Sequence, residues 1–297
     1  MKKLFAMLLA LVMVLSLAAC ASNGDSKDDS TKDSASDSAK DSEKESESQS
    51  AEPVELVVFA AASLTESLTA IGEKYMADNQ NVKLSFNFDS SGKLLTQIKE
   101  GAVCDLFISA APKQMNALDG TLKDDAEKNP AGLDLLLAGS RIDLLENKVA
   151  LAVAEGSDKG IDSFDKLADL LKNGDVTLAI GNSDVPVGQY TQKIFAYYGI
   201  DENAIASKLT YGSNVKEVTT AVSEGTVDCG IIYASDAYSA KLTVAAEATA
   251  EMCGQVIYPA VLNTSKQQDA ASAFLKYLQG AEASAEFEKV LFTPLSK

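Results

Sequence analysis

Four stretches combine hydroxyl, glycine and other small residues as a helix start facing a ligand would. They are Ala60-Ala61-Ala62-Ser63-Leu64-Thr65-Glu66, Phe88-Asp89-Ser90-Ser91-Gly92-Lys93-Leu94, Asn182-Ser183-Asp184-Val185-Pro186-Val187-Gly188-Gln189-Tyr190 and Tyr211-Gly212-Ser213-Asn214-Val215-Lys216. Small residues let backbone approach a ligand closely, and the first N–H groups of a helix have no intrahelical acceptor. With the helix dipole, such N–H groups make an anion site. Each stretch also has a plainer reading. Ser63 with Glu66 three residues on is a capping box, and Asp89-Ser90-Ser91-Gly92 is an ordinary turn. Gly92-Lys93 lacks both the upstream Gly and the following Ser/Thr of a phosphate loop, which argues against a nucleotide site.

Composition narrows the chemistry. The 297 residues contain no His and no Trp, which excludes Ser-His-Asp and Cys-His catalysis, imidazole-based zinc sites and histidine pH switching. We therefore expect a binding protein and not an enzyme, with no cofactor. Arg141 is the single arginine and the formal charge is −17, so a nucleic-acid partner is not expected. A small buried dianion is compatible with this acidity, because N–H and O–H donors satisfy its oxygens at short range without an opposing charge.

Met1-Lys2-Lys3, the apolar run Leu4 to Ala19 and Leu17-Ala18-Ala19-Cys20 read as a secretory leader, residues 1–20, too short for a comfortable membrane span. Its end resembles a bacterial lipobox, which implies lipidation at Cys20. Residues 21–52 hold ten Ser and ten acidic residues without an aromatic residue, Leu, Ile or Val, the composition of a disordered tether. The remaining cysteines, Cys104, Cys229 and Cys253, are odd in number and irregularly spaced, so they allow one disulfide or free thiols and make a poor metal set.

From residue 54, β-rich runs alternate with helical patterns, which predicts parallel sheets. Strands are expected at Val54–Ala60, Val82–Phe88 and Asp105–Ala110, with helices at Ser63–Met76, Gly92–Glu100 and Lys113–Leu118. After a loop-rich stretch through Asn129-Pro130 and Gly139, strands are expected at Lys148–Ala154, Val176–Gly181 and Cys229–Ala234. Helices belong at Phe164–Leu171, Gln189–Tyr198 and Val215–Ser223. Val256–Leu262 reads as a strand, followed by helices at Asp269–Gly280 and Ala283–Val290. The expectation is an α/β chain of two lobes, residues 53–145 with 255–297 and residues 146–254. Each would be a mainly parallel sheet flanked by helices, with a ligand cleft between the strands' carboxyl ends.

Phe59-Ala60-Ala61-Ala62-Ser63-Leu64-Thr65, Asp105-Leu106-Phe107-Ile108-Ser109-Ala110, Val185-Pro186-Val187-Gly188-Gln189-Tyr190 and Gly230-Ile231-Ile232-Tyr233-Ala234-Ser235-Asp236-Ala237 resemble the molybdate-binding proteins of bacterial ABC importers, over roughly residues 54–297. That resemblance implies a type II periplasmic-binding-protein fold. It further implies that Ser63 and Ser91 offer hydroxyl and N–H, Val187 and Val215 backbone N–H, and Tyr233 its phenol to an oxyanion. The chain departs from the family at Asp89, where relatives usually carry a small residue, and at Val187, where Ala is frequent; Asp89 is expected to point outward or to cap. The implied function is capture of molybdate and tungstate outside the cytoplasm by a monomer anchored to the membrane at Cys20, with delivery to a permease. Sulfate and phosphate are the alternative ligands. Ferric iron held by Tyr197-Tyr198 is a third, against the plainer reading of those rings as helix-end packing.

Overall fold

The computed structural model describes residues 53–295; the leader, Cys20 and the tether lie outside them. In chain order the elements are β1 (Val54–Ala61), α1 (Thr65–Asp78), β2 (Val82–Asp89), α2 (Ser91–Lys99), β3 (Leu106–Ile108), α3 (Pro112–Asn116), β4 (Ile142–Asn147) and β5 (Val149–Val153). Then come α4 (Phe164–Asn173), β6 (Leu178–Gly181), α5 (Pro186–Tyr197), β7 (Leu209–Gly212), α6 (Val215–Ser223), β8 (Cys229–Tyr233) and α7 (Ala234–Ser239). The chain continues through β9 (Thr243–Glu247), α8 (Ala250–Cys253), β10 (Val256–Leu262), α9 (Gln268–Leu278), α10 (Ala281–Lys289) and β11 (Thr293–Pro294).

Two sheets result, ordered β11-β4-β10-β3-β1-β2 in the first lobe and β7-β6-β8-β5-β9 in the second. The two-lobed α/β architecture is the expected one, but the sheets are mixed and not mainly parallel. Pairing is parallel within β3-β1-β2 and within β8-β6-β7. It turns antiparallel where β10 meets β3, β4 meets β10 and β11 meets β4, and where β5 meets both β8 and β9. The cause is topological. The chain leaves the first sheet by β4, enters the second by β5 and returns by β10, and each of these crossing strands runs against its neighbours. Strand β4 falls in the stretch read as loop-rich, since Ile142-Asp143-Leu144-Leu145-Glu146-Asn147 has no period-2 alternation; its pairing with β10 makes it a strand.

In each lobe the three parallel strands repeat one plan. β1 lies between β3 and β2, and β6 lies between β8 and β7, so the chain reverses its direction of travel across the sheet at β1 and at β6. The crevice at such a switch point, beyond the carboxyl ends of the strands, is where open α/β sheets bind ligands. Helices α2 and α6 are anchored beside these crevices by their apolar faces, Leu94 with Ile98 and Val215, Val218 and Val222. Their first turns are capped by Ser90 Oγ, which accepts Lys93 N–H at 3.3 Å, and by Asn214 Oδ1, which accepts Glu217 N–H at 3.1 Å.

Candidate functional site

Between the two switch points lies a small cavity lined by Ala61, Ala62, Ser63, Asp89, Ser90, Ser91, Ala110, Val185, Pro186, Val215 and Tyr233. Its volume is about 10 Å³, against roughly 300–1,000 Å³ for organic-ligand pockets. Such a space, room for about one water as it stands, excludes an organic solute. A groove of about 800 Å³ at the opposite end of the first sheet is lined by Glu55, Asp105 and Asp134 among others, and those carboxylates give it the wrong sign for an anion.

Of the five expected ligand residues, Ser63, Ser91, Val215 and Tyr233 line the cavity. Val187 is not among the lining residues, which from this helix start are Val185 and Pro186. As the second residue of α5, Val187 still has an N–H without an intrahelical acceptor. Gly188 allows this helix start to sit tightly on its strand, because a Cβ there would come within 2.2 Å of Asn182 O and 2.3 Å of Gly181 O.

The capping-box reading of Ser63 does not hold. Ser63 sits in a single 3-10 turn, Ala62–Leu64, ahead of α1, and neither this turn nor α1 has a side-chain cap. Its Oγ instead lies 2.8 Å from Tyr258 Oη, while Glu66 binds Lys216 of the other lobe at 2.8 Å. The Ser91 hydroxyl accepts the Ala110 N–H at 3.0 Å, tying α2 to the segment after β3 and leaving its own proton for the cavity. Ser91→Ala should leave that buried N–H unpaired and lower stability by about 1–3 kcal/mol. The check is a shifted denaturation midpoint at unchanged m-value.

Tyr233 closes β8 and is 1% exposed, yet among the described residues its hydroxyl has no hydrogen-bond partner. Its ring is held edge-on between Tyr190 and Tyr258, with centroids at 6.4 and 5.8 Å. Burial first, then the neighbouring Tyr258, pushes its pKa well above the ordinary value, so the phenol keeps its proton and can donate. Asp89 neither caps α2, which Ser90 does, nor points away, since it lines the cavity; its Oδ1 accepts Ser90 N–H at 2.7 Å and lies 3.5 Å from Lys93 Nζ. Asn214 Nδ2 reaches the same oxygen from the second lobe at 3.4 Å.

The flank of the site carries a buried charge. Lys216 Nζ lies 3.0 Å from Asp236 Oδ1 as well as against Glu66. Burial opposes the Lys216 charge, but Asp236 and Glu66 outweigh it and raise its pKa. Burial raises the Asp236 carboxyl to about 6, with Lys216 pulling the other way. A carboxyl with a folded pKa above its unfolded value binds more protons in the folded state between the two, so its contribution to stability falls as pH rises through that window. Between about pH 4 and 6 the parent should therefore lose on the order of 2–3 kcal/mol relative to Asp236→Asn. Chemical denaturation of both proteins across that range checks it.

Tyr197 and Tyr198 pack against each other at 5.0 Å at the end of α5, with Tyr197 53% exposed, and neither lines the cavity. Among the described residues no group of three or more His, Cys, Asp or Glu side chains could hold a metal ion. Cys104, Cys229 and Cys253 are free and buried, and burial raises Cys104 and Cys229 to about 12, which keeps them as thiols. Two residues behind the cavity are not legible as partners of Ser63 from sequence: Tyr258 on the returning strand β10, and Asn147 at the end of β4, which reaches Tyr258. The available signal was a tyrosine inside the apolar run Val256–Leu262 that carries the chain between lobes.

Residues 56–292 match the family model for bacterial extracellular solute-binding proteins. The chain is 33% identical over 249 residues to YvgL of Bacillus subtilis, covering 82% of this chain and 88% of that protein, whose name designates an ABC transporter substrate-binding lipoprotein. It is 34% identical over 228 residues to the molybdate-binding protein ModA of Mycobacterium tuberculosis, covering 76% of this chain and 79% of the relative. The periplasmic molybdate-binding protein of Azotobacter vinelandii superposes with a TM-score of 0.66 at 18% identity, over 80% of this chain and 98% of the other. At that identity the likeness concerns the fold.

Proposed function

The chain belongs to the bacterial extracellular solute-binding proteins, and from that membership we propose that it captures molybdate, and also tungstate, and delivers it to the permease of an ABC transporter. No bond is made or broken; binding and release are the whole activity. The observation that carries this reading is the small cavity between two switch points, lined by hydroxyl-bearing and helix-start residues from both lobes and by a buried Tyr233 hydroxyl that lacks a partner among the described residues. A buried donor without an acceptor is costly, and a dianion supplies the acceptor. The molybdate-binding relatives at similar length support the choice of ion.

The competing ligand is hydrogen phosphate, and Asp89 is what favours it, since a carboxylate in the lining could accept the phosphate proton. The engagement of Asp89 Oδ1 by Ser90, Lys93 and Asn214 leaves Oδ2 as the acceptor phosphate would need, and the molybdate-binding relatives support molybdate against it. A thermal-shift and calorimetric panel of molybdate, tungstate, sulfate, phosphate and ferric iron decides. Molybdate and tungstate should stabilise most, by about 2.7 kcal/mol at one hundred times the dissociation constant. A largest shift with phosphate or sulfate would overturn the assignment.

The receptor acts as a monomer outside the cytoplasm, held to the membrane through a lipid on Cys20 by the 21–52 tether. The lipobox-like leader and the lipoprotein name of the Bacillus relative support this. No helix among the described residues is long and apolar enough to cross a membrane.

A further inference from the structure

The hydrogen-bond chain behind Ser63 starts from a group that can only donate. Asn147 Oδ1 accepts the Lys148 N–H at 2.8 Å. Its Nδ2, which can only donate, therefore faces Ser235 Oγ at 2.8 Å and Tyr258 Oη at 3.4 Å. Tyr258 Oη in turn lies 2.8 Å from Ser63 Oγ. A phenol oxygen that accepts from Asn147 has its single proton left for Ser63. A Ser63 oxygen that accepts from Tyr258 has its own proton left for the cavity it lines. Ser63, Asn147 and Tyr258 are 4%, 3% and 0% exposed, so these groups satisfy one another and the polarity set at one end is felt at the other.

Resting on the oxyanion reading above, we infer that Asn147 is a specificity-determining positioning residue, which orients the Tyr258–Ser63 relay so that Ser63 presents a proton and not a lone pair to the bound anion. A fully deprotonated oxyanion accepts from Ser63. An oxyanion that still carries a proton gains nothing by turning it toward Ser63 and meets a donor facing a donor if it does. The relay thus selects by protonation state, apart from any selection by cavity size. Tyr258 keeps its proton throughout, because burial first, then Asp236, raises its pKa well above the ordinary value.

Asn147→Asp replaces the donor with an acceptor of the same size and should reverse the relay, so that Ser63 turns its lone pair to the cavity. Calorimetry at about pH 8 would compare molybdate with hydrogen phosphate on the parent and on this variant. The expected result is a molybdate-to-phosphate affinity ratio at least tenfold lower in Asn147→Asp. Added negative charge by itself weakens both dianions alike, so an unchanged ratio overturns the inference. Tyr258→Phe removes the relay without adding charge and should lower the same ratio several-fold. Ligand-free melting of each variant shows whether it folds, and an unchanged ratio in folded Tyr258→Phe also overturns the inference. A parent that prefers sulfate to molybdate while rejecting hydrogen phosphate refutes the molybdate reading and supports the relay. A parent that prefers hydrogen phosphate to both refutes the relay.

Discussion

Gly92→Ala is expected to weaken oxyanion binding at least a hundredfold while leaving the ligand-free protein as stable as the parent or more so. Gly92 opens the first turn of α2 in the first lobe, and a Cβ there would lie 2.2 Å from the backbone O and 3.0 Å from the C of Asp184. Asp184 belongs to the loop after β6 in the second lobe, so the clash exists only while the lobes are together. The same approach brings Lys93 Nζ within 2.8 Å of Ser213 Oγ and Lys216 onto Glu66. When the cleft opens, the added methyl meets no such contact, and alanine in a helix is better than glycine by up to about 1 kcal/mol. The cost falls on the closed state alone, and a hundredfold loss corresponds to about 2.7 kcal/mol. Gly188→Ala provides the contrast, because its clash with Asn182 O and Gly181 O lies within one lobe and should destabilise the ligand-free fold. Calorimetry, melting and the radius of gyration with and without molybdate would read these effects. Parental affinity together with parental compaction in Gly92→Ala would show that closure does not need this contact.

Tyr233→Phe should reduce molybdate affinity by roughly ten- to a hundredfold, the 1.5–3 kcal/mol of a hydrogen bond to a charged group, without lowering ligand-free stability. The parent's hydroxyl has no partner to lose. The ring, held between Tyr190 and Tyr258, keeps its packing when the oxygen is removed. A partnered structural hydroxyl would behave in the opposite way, costing stability and sparing affinity. Equal affinity in the two proteins would remove Tyr233 from the ligand shell.

Much of the site could be read before any fold was known, because its parts are local. The start of α6 was legible since Asn214 caps the N–H of Glu217 only three residues away, and Val215, Val218 and Val222 repeat at helical spacing. Strand β8 was legible from an unbroken apolar run, all of it buried. Ser63 does line the cavity, yet its capping-box pattern misleads, since that pattern is local while its hydrogen-bond partner, Tyr258, is 195 residues away. Strand β4 was missed because its sequence has no alternation and only β10 makes it a strand.

Local sequence was enough for the alternation of strands and helices, the hydroxyl and small residues at four helix starts, and an acidic chain without histidine. Each of these depends on residue type or on spacings of a few residues. The tertiary structure decided that Val185 and Pro186, and not Val187, face the cavity, that Gly92 abuts Asp184, and that Asn147 stands behind Ser63 through Tyr258. Those relations depend on how β4, β5 and β10 cross between two sheets. A crossing strand takes its direction and register from partners far along the chain, and periodicity within one segment carries no information about them.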